Sequence, residues 1–112
     1  MFKKIAFIHY DTQNLERALT FYRDILGLPL LVQNEEWIEF DVGGQRLALR
    51  QVDSSPSPTS GTGSAGAMIW LETPAMARAL SHLDKNNINL INDLQEFSYG
   101  KMAIFEDPDG NP

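Results

Sequence analysis

His9, Glu39 and Arg50 are the side chains of this sequence best suited to move a proton or hold a charged ligand. If the strands that carry them alternate with a period of two, a neutral imidazole, a carboxylate and a guanidinium stand around one cavity. Such a set can fix a polar molecule or pass a proton, with His9 and Glu39 as the candidate catalytic groups. Arg50 is the better binding group, because its planar fork holds a carboxylate or phosphate through two hydrogen bonds. A plainer account makes His9 a hydrogen-bonded core residue and Glu39 with Arg50 an ordinary cross-strand pair, worth about 1 kcal/mol or less. For catalysis the plainer account is preferred; for ligand contact the two stand level.

Trp37, Glu39 and Asp41 alternate with Ile38, Phe40 and Val42, and the second set is apolar enough to pack under a helix. Trp37 then lines the cavity, where an aromatic wall suits a planar or hydrophobic ligand. Phe21 and Tyr22 are read as packing, His82 as solvated, and Glu35, Glu36 and Glu72 as exposed charge. Asp107 and Asp109 belong to Asp-Pro-Asp-Gly, which is first a turn sequence, with Pro setting φ and Gly tolerating a positive value. No Gly-rich phosphate loop, Ser/His/Asp order or Cys/His constellation is present.

Composition narrows the partners. The 112 residues are 43% hydrophobic, enough for one domain with a real core. A net charge of -6 repels a nucleic-acid backbone, so nucleic acid is not an expected partner. The chain has no cysteine, which removes disulfides and thiolate ligands and leaves His, Asp and Glu for any metal; a reducing, cytoplasmic setting is expected. The N-terminal Met-Phe-Lys-Lys precedes too short an apolar run for a signal sequence, and no apolar stretch approaches the ~20 residues of a membrane span.

The elements that must position these residues follow from pattern. Residues 2–10 suit a strand. Asn14 can cap a helix carrying Leu15, Ala18, Leu19, Tyr22, Ile25 and Leu26, which Gly27 stops. Residues 30–33, 37–42 and 46–52 read as strands, the last two joined by Gly43-Gly44. Residues 53–66, a Ser/Pro/Gly tract, are expected to form a mobile linker between two modules, 1–52 and 67–112, of a single domain.

The second module repeats the order. A strand is expected over 67–71, then Thr73-Pro74 opening a helix with Met76, Ala77, Leu80 and Leu83 on one face, then strands over 90–94 and 101–106. Arg78-Ala79-Leu80-Ser81 echoes Arg17-Ala18-Leu19-Thr20, residue 78 against residue 17, an offset of 61. The predicted class is α+β, two βαβββ modules with the last strand of the second missing. The strand over 101–106 then keeps an open edge, so either an incomplete chain or an edge covered by a partner is expected.

Asn14-Leu15-Glu16-Arg17-Ala18 running into Phe21-Tyr22-Arg23-Asp24-Ile25-Leu26-Gly27-Leu28, with Tyr99-Gly100-Lys101 and Phe105-Glu106-Asp107-Pro108-Asp109-Gly110-Asn111, resembles the vicinal oxygen chelate superfamily of glyoxalases, bleomycin-resistance proteins and dioxygenases. The resemblance spans the chain and implies an open, cup-shaped mixed sheet with the ligand on its concave side. It implies fold strongly and chemistry weakly. It places the usual first-strand histidine at Phe7, the second module's counterpart at Ala67, the first module's acidic position near Ala48, and a further glutamate beyond Pro112. None of the three residues present can ligate a metal.

These positions, with Ile69 and Leu71, would make the cavity apolar, so the expected ligand contacts are Phe7, His9, Trp37, Glu39, Ala48, Arg50, Ala67 and Ile69. The leading expectation is a metal-free small-molecule-binding protein without cofactor, sequestering a toxic or aromatic compound. His9, two residues from Phe7 and facing the same side, keeps the alternative open: a lyase, isomerase or dioxygenase of the glyoxalase type using nickel, zinc, iron or manganese. A third reading is an interaction module pairing through its open edge. The resemblance implies a homodimer.

Overall fold

In the computed structural model, which describes residues 1–53, 68–98 and 100–112, the alternation of the first half becomes a sheet backed by one helix. Strand β1 is Ile8–Thr12, helix α1 is Leu15–Leu19 with a π-helical continuation over Thr20–Ile25, and β2 (Leu30–Gln33), β3 (Trp37–Val42) and β4 (Gln45–Gln51) follow. The strand order is β1-β4-β3-β2, with β1 parallel to β4 and the other pairs antiparallel. This is the βαβββ order expected of the first module.

β1 starts later than the sequence pattern predicts, and its partner explains why. Ile8 pairs with Leu47 in parallel register, so residues before Ala6 run past the start of β4 at Gln45, and there Ile5 O accepts from the Gln45 side chain at 3.2 Å rather than from a ladder partner. The Gly43-Gly44 turn takes positive φ at both glycines, 61° and 90°, as a tight hairpin between right-twisted strands requires, and Asp41 Oδ1 accepts from the Gly44 N–H at 2.8 Å.

Asn14 caps α1, its Oδ1 accepting from the Arg17 N–H at 3.1 Å. The helix then widens. The Leu26 N–H donates to Phe21 O at 2.9 Å, an i to i−5 bond, and Gly27 ends the element at φ 74°. Ala18, Leu19, Phe21 and Tyr22 are all buried by this path, and they cover Ile38, Phe40, Leu47 and Leu49 from the sheet. The Tyr22 and Phe40 rings lie 5.8 Å apart. At about 25 cal/mol per Å² of apolar surface removed from water, this layer dominates the unit's stability.

The chain divides into two compact units, Met1–Pro58 and Thr59–Pro112. In the second, helix α2 spans Met76–Lys85, and β5 (Gln95–Phe97) pairs antiparallel with β6 (Gly100–Met102). The expected linker lies almost wholly outside the described residues, as does Ala67. The expected strand over 67–71 is not formed at 68–71, because no ladder partner reaches those residues among those described. The cap of α2 is Ala75 rather than Thr73, whose Oγ1 instead accepts from the Ala75 N–H at 3.2 Å. Its covered face is Met76, Ala79, Leu80 and Leu83, with Ala77 exposed.

The strand expected over 90–94 shrinks to a single bridge between Leu90 and Phe105, since Asn92 and Asp93 fit a strand poorly and the ladder resumes only at Gln95. The strand expected over 101–106 is reduced to β6 and that bridge. The Asp-Pro-Asp-Gly turn forms as expected. Asp107 Oδ1 accepts from the Asp109 and Asn111 N–H groups at 2.9 and 2.8 Å, and its Oδ2 from Asn111 Nδ2 at 2.9 Å. Both oxygens of this buried carboxylate serve the turn.

Candidate functional site

β4 is the middle of three strands that bring the sequence candidates to one face of the first unit. Parallel register sets His9 opposite Ala48 and Asp11 opposite Arg50; antiparallel register sets Trp37 opposite Arg50, Glu39 opposite Ala48 and Asp41 opposite Arg46. Since side chains alternate, these residues share the face turned away from α1, and the core residues of the same strands take the other. Phe7, His9, Trp37, Glu39, Ala48 and Arg50 are thus gathered as expected. Ile69 is in the second unit and is half-buried there.

Three rings cluster on this face. Phe7 meets Trp37 edge-on at 5.3 Å and 86°, and His9 lies 6.0 Å from Trp37 and 6.5 Å from Phe7. Edge-to-face contact of this kind is worth about 1 kcal/mol beyond burial. Phe7 and His9 are exposed, so His9 is not the core residue of the plainer account. Ala48 is fully buried beneath its neighbours and offers a ligand no surface.

Glu39 holds this cluster in place. Its Oε2 accepts from Trp37 Nε1 at 2.7 Å and its Oε1 from Arg46 Nη1 at 2.9 Å, with the Glu39 side chain only 14% exposed. The indole hydrogen bond first, then Arg46, holds the carboxyl below the ordinary range against the opposing cost of burial. A carboxylate engaged at both oxygens has little basicity left for proton transfer, so Glu39 acts here as an anchor.

Arg50 does not pair with Glu39. It meets Asp11 in a two-pronged contact, Nε to Oδ1 at 3.0 Å and Nη2 to Oδ2 at 3.2 Å, because Asp11 is its direct neighbour across β1. His9 Nε2 lies 3.4 Å from the same Oδ1. Asp11 and Arg46 were missed by sequence reasoning, although parity with His9 and with Ala48 and Arg50 was the signal that would have found them.

Some members of the resembled superfamily hold a divalent ion, which needs several converging nitrogen or oxygen donors. The described residues do not fit one: they contain no group of three His, Asp or Glu able to hold a metal, and Phe7 and Ala48 carry no lone pair. On this face His9 and Asp11 bring two donors within 3.4 Å of each other, while both oxygens of Glu39 are taken by Trp37 and Arg46. Among the described residues, no helix is long and apolar enough to cross a membrane.

The family model described as Glyoxalase/Bleomycin resistance protein/Dioxygenase superfamily matches residues 4–112. Among curated relatives, the metallothiol transferase FosB of Staphylococcus saprophyticus is 26% identical over 112 residues, 99% of this chain and 74% of that protein. Among solved structures, a glyoxalase/dioxygenase from Nostoc punctiforme matches with TM-score 0.79 at 22% identity, covering 97% of this chain and 86% of that one. A glyoxalase family protein from Enterococcus faecalis matches with TM-score 0.77 at 24% identity, covering 99% and 94%. At these identities the likeness shows the fold, a mixed α+β architecture.

Proposed function

This chain belongs to the Glyoxalase/Bleomycin resistance protein/Dioxygenase superfamily, and from that premise we propose that it binds a small planar or amphipathic molecule on the Phe7, His9 and Trp37 rings without a metal. The supporting observation is the double anchoring of Trp37, by its hydrogen bond to Glu39 and by the edge of Phe7. A ring held in place before binding loses little freedom on binding, so its contact area converts efficiently into affinity. Arg46 and Arg50 border the rings and would favour a ligand with an anionic end. Sequestration of an aromatic or toxic compound is the role that follows, in a cytoplasmic homodimer.

Anilinonaphthalene sulfonate, planar and anionic, is a suitable probe. In a Trp70→Phe background Trp37 is the remaining tryptophan, and saturable quenching of its emission is expected. Binding that Trp37→Ala leaves undiminished would refute this site.

A second reading is favoured by the name of the relative from Staphylococcus saprophyticus, a metallothiol transferase, and by the two donors His9 and Asp11 at 3.4 Å. It is a metal-dependent transferase, lyase, isomerase or dioxygenase, and it requires donors beyond those two. Metal analysis of protein purified without chelator, followed by melting with nickel, zinc, iron and manganese, separates the readings. Stoichiometric metal, or a marked rise in melting temperature with one ion, favours the second, because a ligand stabilises only a protein that has a site for it.

A further inference from the structure

We propose that the first unit carries a second binding site, on the helix side of its sheet, for a small polyol bearing an ammonium group. A cavity of about 610 Å³ opens there between the start of α1 and the turn joining β2 to β3. Its position is set by strand parity: Ile38 and Gln51 line it, and these alternate with Trp37 and Arg50, whose side chains face the other way. The two sites therefore share a sheet but no lining residue. This inference does not depend on the reading of the aromatic face.

The frame of the cavity is tied down. Gln51 Oε1 accepts from the Leu15 N–H at 3.2 Å, and its Nε2 donates to Gln13 O at 2.7 Å, fastening the loop before α1 to the end of β4. Asn14 and Asn34 stand on opposite sides. The Oδ1 of Asn14 accepts from the Arg17 N–H at 3.1 Å and that of Asn34 from the Glu36 N–H at 2.9 Å. These bonds fix each carboxamide while leaving its NH₂ group without an acceptor among the described residues, ready for a hydroxyl oxygen.

Glu16 and Glu35 line the same space, and neither has an ion-pair partner among the described residues. A ligand ammonium would pair with these carboxylates, and hydroxyl groups would donate to the remaining carboxylate lone pairs. Leu15, Leu19 and Ile38 supply an aliphatic floor for the C–H face of such a molecule. The volume lies within the ~300–1,000 Å³ of small-ligand sites. The same two carboxylates and the net charge of -6 disfavour an anion.

Glucamine is the probe, with sorbitol lacking the ammonium and hexylamine lacking the hydroxyls, each titrated into the full chain and followed by amide NMR. Saturable shifts are expected with glucamine at Leu15, Glu16, Asn34 and Glu35 and at the side-chain NH₂ signals of Asn14 and Asn34, with sorbitol and hexylamine at least about tenfold weaker. The double variant E16Q/E35Q is expected to weaken glucamine about tenfold while its melting temperature and its response to anilinonaphthalene sulfonate stay unchanged. Shifts that fail to saturate or that map elsewhere would overturn the site. Equal binding of either control, or an E16Q/E35Q protein that binds glucamine as tightly as the parent, would overturn the ligand class.

Discussion

Trp37 and Glu39 stand two positions apart on β3, and the indole N–H of the first donates to the carboxylate of the second at 2.7 Å. The link turns an aromatic side chain into a fixed surface. Glu39→Gln weakens a charge-assisted bond on each side of the carboxyl, so a loss of about 1 kcal/mol is expected in urea unfolding.

That loss has a pH signature. The folded pKa of Glu39 lies below its ordinary 4.5, so the stabilisation is complete above that value and disappears as the pH falls through the lowered one. The gap between the parent and Glu39→Gln is therefore expected to be constant near neutrality and to close in acid. A gap that grows on acidification would contradict the assignment.

Phe40 is fully buried against Tyr22 in the layer between helix and sheet. Phe40→Ala should cost about 3–5 kcal/mol, read as a fall in the thermal midpoint or as loss of the cooperative transition.

Gly44, at φ 90°, tolerates a side chain poorly although nothing lies within 4 Å of a Cβ placed there. Gly44→Ala is expected to lose about 1–2 kcal/mol from backbone strain alone. Gly43→Asn, at φ 61°, should cost less, because asparagine accepts the left-handed region. Equal losses for the two would place the penalty in something other than dihedral preference.

Arg50 and Asp11 are both partly solvated, the arginine side chain 52% exposed, so Arg50→Ala should change stability by less than about 1 kcal/mol. Its expected effect is on binding: anilinonaphthalene sulfonate loses affinity while the unfolding midpoint hardly moves. Arg50→Lys should not restore the affinity, since an ammonium lacks the two-pronged geometry.

Much of the first unit was legible because its patterns were strong. Alternation over residues 37–42, two adjacent glycines and an Asn cap specify a hairpin and a helix start from local chemistry. Parity alone gathered Phe7, His9, Trp37, Glu39 and Arg50 on one face. Which arginine meets which acid was not legible, because Glu39 lies diagonally from both Arg46 and Arg50 and only the parallel register of β1 awards Arg50 to Asp11. The π-helical turn was hidden as well, since Phe21 and Tyr22 fit an ordinary helix on paper. In the second unit, short runs such as Leu90 to Leu94 carry apolar residues without alternation, and strands there depend on partners that sequence cannot name.

The parallel pairing of Ile8 with Leu47 joins residues 39 apart, whereas β3 and β4 meet across a turn of two. Closing the longer loop has the greater entropic cost, so the hairpin can assemble early and β1 docks onto it late. During that interval the flank of β4 is open to whichever β1 arrives first. At high concentration a refolding chain can therefore accept this strand from a second molecule, and dilution during renaturation should decide how much of the product is single and how much is exchanged.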